Sequence, residues 1–204
     1  MKLTLLIALF LGWVLRAQSV PYTEAQQIQF VEKEIRPLLN MVINARLPFP
    51  AINERIKSQD ALILQRFKGK PIIIVLSPLY HNISKQIGAA SGIEPTGEPK
   101  IVLYLPSIMD DYADNPSSLL RKIMHERDHL TEILRNESSI NLELETHMQA
   151  LTTEFVTVPL KEKYQVTLSY SDQKHYDAWV KSGRNEKSQF WKDYIRSLLA
   201  PVLK

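Results

Sequence analysis

The chain of 204 residues contains no cysteine. That excludes disulfides and excludes a lipoprotein anchored through a processed N-terminal cysteine. Long apolar runs are also scarce. The only substantial one is Leu3 to Leu15, and nothing after it approaches the roughly 18 residues needed to span a bilayer. Clusters of Lys and Arg interleaved with aromatics are missing, so nucleic acid is not an expected partner. Histidine is rare, confined to His81, His125, His129, His147 and His175. A repeated pattern among so few histidines therefore carries information.

The N-terminus reads as a targeting segment. Lys2 precedes the apolar run, which is short for a membrane span and suits a signal-peptide core. Ala17-Gln18-Ser19 offers small residues at the cleavage positions, so cleavage is expected after Ser19, with an uncleaved anchor as the alternative. Cleavage removes Lys2 and Arg16 and lowers the formal net charge from +3 to +1, so the basic isoelectric point says little about partners. The reading is a secreted or periplasmic protein with no membrane association after processing. An exported chain without disulfides suits a bacterial envelope. Residues 20–204 can bury a full core and are read as a single domain.

Periodicity suggests an α+β fold, mostly helical with a small sheet. Residues 20–70 are read as two N-terminal helices. Thr23 and Gln26 form a capping-box pattern, Pro37 is an interior defect, and Pro48-Phe49-Pro50 is a break. The second helix, Ala51 to Phe67, has Ile52, Ile56, Leu62 and Leu64 as its apolar residues. Residues 71–160 are read as a core of strands and helices. Strands are expected at 71–77, buried, and at 99–106, with a turn-rich stretch between them. Asp110, Asp111 and Asp114 lie in a segment read as a solvated loop, without the spacing of a calcium loop. A helix follows, with Asn115 as N-cap and Pro116 at its first position, ending near Asn136. The next helix starts at Ser138 or Ser139 and runs to Pro159. Residues 161–204 are read as a helical tail, after an ambiguous stretch in which Tyr164 to Leu168 is a candidate strand. Trp179 and Trp191 are expected to be core or docking residues.

The richest chemical signal is His125-Glu126-Arg127-Asp128-His129, an H-E-x-x-H pattern on the central helix. Histidines four residues apart project from one helical face and can grip one Zn²⁺. The glutamate beside the first is placed to act as a general base. The charged pair Arg127-Asp128 is unusual for a buried helix. It implies either a surface helix or specific partners for both charges. A catalytic zinc needs a third protein ligand, and Glu143, Glu145 and His147 follow closely on the next helix. Glu143 and Glu145 are about 200° apart around a helix, so at most one of them faces a given metal. Glu132, one turn beyond His129, is a smaller possibility, and His81 is read as a loop residue.

Over residues 100–155 these features resemble the zincin metallopeptidases, and more narrowly the gluzincins. The resemblance implies a zincin-like minimal domain and an exported zinc peptidase acting on peptide or protein substrates. It implies Zn²⁺ held by His125, His129 and a glutamate on a second helix, with Glu126 as general base. Glu143-Leu144-Glu145-Thr146-His147 resembles the family's E-x-x-x-D element, which makes Glu143 the first choice of ligand and Glu145 the alternative. His147 then stands where the family has an acid, as an outer partner or itself a ligand. The resemblance also implies an edge strand ahead of the motif helix that pairs with extended substrate, a place Ile101 to Leu105 would take. Tyr164, Tyr170, His175 and Tyr176 are candidates to stabilise an oxyanion. Two alternatives stay open: a non-catalytic exported protein of the same fold, with metal as a structural element, and a helical interaction protein in which the motif is accidental.

Overall fold

The computed structural model describes residues 20–112, 117–132 and 141–202. The signal segment, Asp114, the cap at Asn115 and Pro116, the helix end at Asn136 and the start at Ser138 or Ser139 lie outside the described residues. The protein is mostly helical with a small mixed sheet, an α+β arrangement. Among the described residues no helix is long and apolar enough to cross a membrane. The chain gathers into two compact units, Met1–Ala113 and Asp114–Lys204. The sequence reading takes residues 20–204 together. The division between units falls inside the stretch assigned to the strand and active-site-helix core.

The first unit opens with helix α1 (Glu24–Phe30), whose Thr23 and Gln26 form the full reciprocal capping box. A π-helical turn, Val31–Ile35, carries the chain into α2 (Arg36–Ile43). Pro37, in the first turn of α2, has no N–H to donate, and its ring crowds the carbonyl four residues back. The widened turn accommodates both defects without a break. Helix α3 (Pro50–Arg66) buries Ile52, Ile56 and Ile63. Leu62, expected on that apolar face, is instead exposed, because Ile63 holds the core-facing register.

Three strands follow: β1 (Ile73–Ser77), β2 (Ala89–Ile93) and β3 (Pro99–Tyr104), in the order β1-β3-β2. β3 runs parallel to β1 and antiparallel to β2. Gly97, at φ 87°, provides the left-handed position in the turn between β2 and β3. Three expectations are corrected here. The strand containing Ile101 to Leu103 is central, so its backbone groups are engaged on both sides and it is no edge for substrate. β1 lies at the edge and buries only Ile74 fully, rather than running as a buried strand. The stretch read as turns contains β2, whose Ala-Ala-Ser-Gly-Ile composition has little strand propensity and is held by pairing with β3.

The expected acidic loop is also corrected. Residues Leu105–Tyr112 form helix α4, with Leu105 and Ile108 buried three apart on one face. Asp110 on this helix accepts hydrogen bonds from Tyr22 (2.6 Å) and Tyr80 (2.9 Å). His81 packs edge-on against Tyr104 with ring centroids 4.9 Å apart, as a loop residue would.

The second unit contains α5 (Ser117–Glu132), α6 (Leu142–Thr152), α7 (Tyr170–Lys181) and α8 (Gln189–Leu199). The described start of α6 is capped by Asn141, whose side chain accepts from the backbone of Glu143 and Leu144. π-Helical segments Thr153–Thr157 and Pro159–Lys163 prolong α6 past the proline expected to end it. No strand forms over Tyr164 to Leu168, which is corrected to an irregular connection into Ser169, the N-cap of α7. Ala150, Ala178, Trp179, Trp191 and Ile195 form the core where α6, α7 and α8 meet. The two indoles pack edge to face at 5.2 Å.

Candidate metal centre

One face of α5 carries Arg121, His125, Asp128 and His129, spaced i, i+4, i+7 and i+8. One face of α6 carries Glu145, Gln149 and Thr152 at i, i+4 and i+7. The packing of α6 on α5 brings these two polar faces together.

His125 Nε2 lies 3.1 Å from His129 Nε2 and 3.1 Å from Glu145 Oε1, and His129 Nε2 lies 3.2 Å from Glu145 Oε2. The two imidazole rings stand perpendicular, with centroids 4.6 Å apart. His125, His129 and Glu145 form a group that can hold a metal ion. Donor atoms around a tetrahedral ion with bonds of 2.0–2.1 Å are about 3.3–3.4 Å apart. The separation of the two nitrogens, and the distance of each to its nearer Glu145 oxygen, lie within a few tenths of an ångström of that value.

Glu145, not Glu143, is the carboxylate brought to the histidines. Glu143 is exposed in the first turn of α6, where its backbone N–H serves the Asn141 cap. His147, two residues from Glu145, points elsewhere and pairs through Nδ1 with Glu186 Oε2 at 2.9 Å. The group thus contains the alternative carboxylate, Glu145, and the residue one turn after it is Gln149. Gln149 Nε2 donates to Glu145 Oε1 at 2.9 Å. Its own carbonyl oxygen accepts from Arg121 Nη2, and Arg121 Nε lies 3.7 Å from the buried Asp172 Oδ1. Because the Arg121 guanidinium can only donate, the orientation of the Gln149 amide is determined.

The charged centre of the motif has a structural explanation. Asp128 is fully buried, and Arg127 is 4% exposed. Thr152 Oγ1 lies 3.0 Å from Asp128 Oδ2, 2.9 Å from the Met148 carbonyl oxygen and 3.3 Å from His125 Nδ1. Asp128 and the carbonyl only accept, so the threonine proton goes to them and its lone pair accepts from His125 Nδ1–H. His125 is thereby oriented with Nδ1 toward the threonine and Nε2 toward His129 and Glu145, and Nε2 is the nitrogen a metal would take.

The electrostatics follow from burial and proximity. Burial disfavours a charge on Glu145, but the adjacent imidazoles and their hydrogen bonds outweigh it and hold its carboxyl well below the usual range. Burial also disfavours a proton on His129, yet its contact with Glu145 and the charges of Glu126 and Asp128 raise its affinity for one. Glu126 is buried at 7% exposure, one residue from the first histidine.

Of the four oxyanion candidates, His175 feels the charges of His125 and Glu145. Burial, and then the charges of Arg121 and His125, keep it well below the usual histidine range and hence neutral. Its Nδ1 has no hydrogen-bond partner. Tyr170 is exposed under Lys174, Tyr176 donates to Glu162 at 2.8 Å, and Tyr164 stacks with Lys163. Tyr194 lies beside His175, a position the sequence does not signal. It packs edge-on to His175 at 5.5 Å, and burial pushes its phenol up to about 12. Its heptad-like spacing from Trp191 and Ile195 signals a core face and nothing chemical. Gln149 and Thr152 lie outside the sequence expectations, although their spacing from Glu145 is a readable signal.

No family model, no curated protein and no solved structure matches this chain.

Proposed function

We propose that the protein is an exported, zinc-dependent peptidase of zincin-like design, in which His125, His129 and Glu145 hold Zn²⁺ and Glu126 is the general base. The observation that carries this reading is the mutual 3.1–3.2 Å spacing of two imidazole nitrogens and a carboxylate. Two nitrogens and one oxygen are a donor set characteristic of catalytic zinc. Charge supports it as well. Glu126, Asp128, Glu145 and Asp172 are largely buried, against the guanidinium groups of Arg121 and Arg127. A divalent cation neutralises that excess.

Bound zinc supplies Lewis acidity and a water nucleophile at neutral pH. Glu126 is the group that would take a proton from an attacking water and deliver it to the leaving amine. Neutral His175 is available to donate a hydrogen bond to a developing negative charge. Thr152 and Gln149 keep His125 and Glu145 oriented. Export rests on the N-terminal apolar segment.

The test is elemental analysis joined to peptide hydrolysis. Purified protein should carry one zinc, and Glu126→Gln should keep that zinc while hydrolysis falls at least about 100-fold. Protein that takes up no zinc, and gains no thermal stability from it, refutes the reading. A second reading is a non-catalytic metal centre that ties α5 to α6. The burial of both His125 and Glu126 favours it. Zinc bound at one equivalent without hydrolysis of any peptide in a broad mixture selects that alternative.

A further inference from the structure

We infer that Gln149 and Thr152 are positioning residues, one serving each of two donors of the metal group, and that each links its donor to a buried carboxylate elsewhere in the unit. The inference rests on the metal-binding reading of the same site. The first link runs from Glu145 through Gln149 to Arg121 and the buried Asp172. Asp172 is itself held by Ser117 Oγ, which donates to it at 2.7 Å, and by its place in the capped first turn of α7. The carboxylate of Glu145 is thus tied to the start of both α5 and α7. The second link runs from His125 Nδ1 through the Thr152 hydroxyl to Asp128 and the Met148 carbonyl.

The chemistry of each link makes it directional. Gln149 presents an N–H to Glu145 Oε1, so that oxygen is restrained and its rotation about the last side-chain bond is limited. Thr152 accepts from His125 Nδ1–H, which selects the tautomer and ring orientation that leave Nε2 facing His129 and Glu145. Both positioning groups sit on one face of α6, three residues apart. A single helix thereby supplies one metal donor and the outer partners of two. Outer partners of this kind typically change metal affinity by about 10- to 100-fold when removed.

The experiment measures Zn²⁺ affinity by competition with a chromophoric chelator, and the visible spectrum of the Co²⁺-loaded protein. Metal-free thermal unfolding is followed in parallel. Thr152→Val keeps the shape of the side chain and removes the hydroxyl. Thr152→Ser restores the hydroxyl. Gln149→Asn keeps the amide but withdraws it by one methylene. Gln173→Leu, at a half-buried position of α7 whose amide bonds to Asp177 on the same helix, is the control. Thr152→Val and Gln149→Asn should each bind Zn²⁺ about 10- to 100-fold more weakly and alter the Co²⁺ spectrum. Thr152→Ser and Gln173→Leu should behave as the parent protein.

Folded Thr152→Val and Gln149→Asn proteins with parental affinity and spectrum overturn the inference. If Thr152→Val does not fold, Gln149→Asn decides it, since that variant leaves the buried partners of Thr152 untouched. Parent protein that binds neither metal overturns the metal-binding reading itself, a different outcome from variants that bind like the parent.

Discussion

The carboxylate of Glu145 spans the two histidines of the motif, 3.1 Å from His125 Nε2 through one oxygen and 3.2 Å from His129 Nε2 through the other. Two residues earlier, Glu143 is exposed to solvent on the same helix. The contrast yields the sharpest prediction. Glu145→Gln should weaken Zn²⁺ binding by more than the roughly 100-fold upper range of an outer partner, while Glu143→Gln leaves it unchanged. Titration calorimetry on both variants checks this. Equal losses, or a larger loss at position 143, would contradict the arrangement.

Metal binding should release a proton near neutral pH. In the metal-free protein His129 has its pKa raised: burial opposes the proton, but Glu145, Glu126 and Asp128 favour it more strongly. A metal needs the neutral ring, so affinity should rise with pH through that elevated pKa and level off once His129 is deprotonated. Calorimetry in buffers of different ionisation enthalpy counts the protons. A count of zero at pH 6.5 would show that His129 is already neutral.

His175 should make the metal-free protein less stable as the pH falls. Its folded-state pKa is depressed, first by burial and then by Arg121 and His125, whereas the unfolded chain protonates near the ordinary value. The unfolded state therefore binds more protons below about pH 6.5, and stability drops with acidification by up to about 1.4 kcal/mol per pH unit. The stability difference between parent protein and His175→Leu, followed from pH 7.5 to 5.5 by chemical denaturation, should change with that slope. A flat difference would mean that the imidazole is not kept neutral by its surroundings.

Trp191 has no exposed surface and packs against Trp179, His175 and Tyr194. Trp191→Ala should destabilise the fold by about 3–5 kcal/mol, as loss of a large buried side chain leaves a cavity. Denaturant unfolding measures it. A loss under about 1 kcal/mol would place the indole outside the core.

The legible parts of this protein are those governed by neighbours in the chain. The capping box at Thr23 and Gln26, the helix bearing His125 and His129, and the apolar register of Trp191 and Ile195 all follow from local periodicity and hydrogen-bonding rules. The illegible parts depend on partners far away in sequence. β2 has a composition that argues against a strand and forms one by pairing with β3. The sequence of β3 does not say whether it lies at an edge or the centre, and its flanking neighbours are decided by the sheet. Leu62 and Ile63 are equally apolar, and only packing selects the second.

The site divides the same way. Spacing alone determined that His125 and His129 share a face, because a helix returns to the same side every 3.6 residues. It also determined that Glu143 and Glu145 cannot both face one metal. Which of the two does so was decided by how α6 packs against α5, since rotating α6 by two residues would exchange them. Packing likewise turned the charged Arg127-Asp128 pair from an argument for a surface helix into buried structure, with Asp128 reaching His125 through a threonine 24 residues away. A buried carboxylate is tolerable only where partners converge on it, and that convergence exists only in the folded chain.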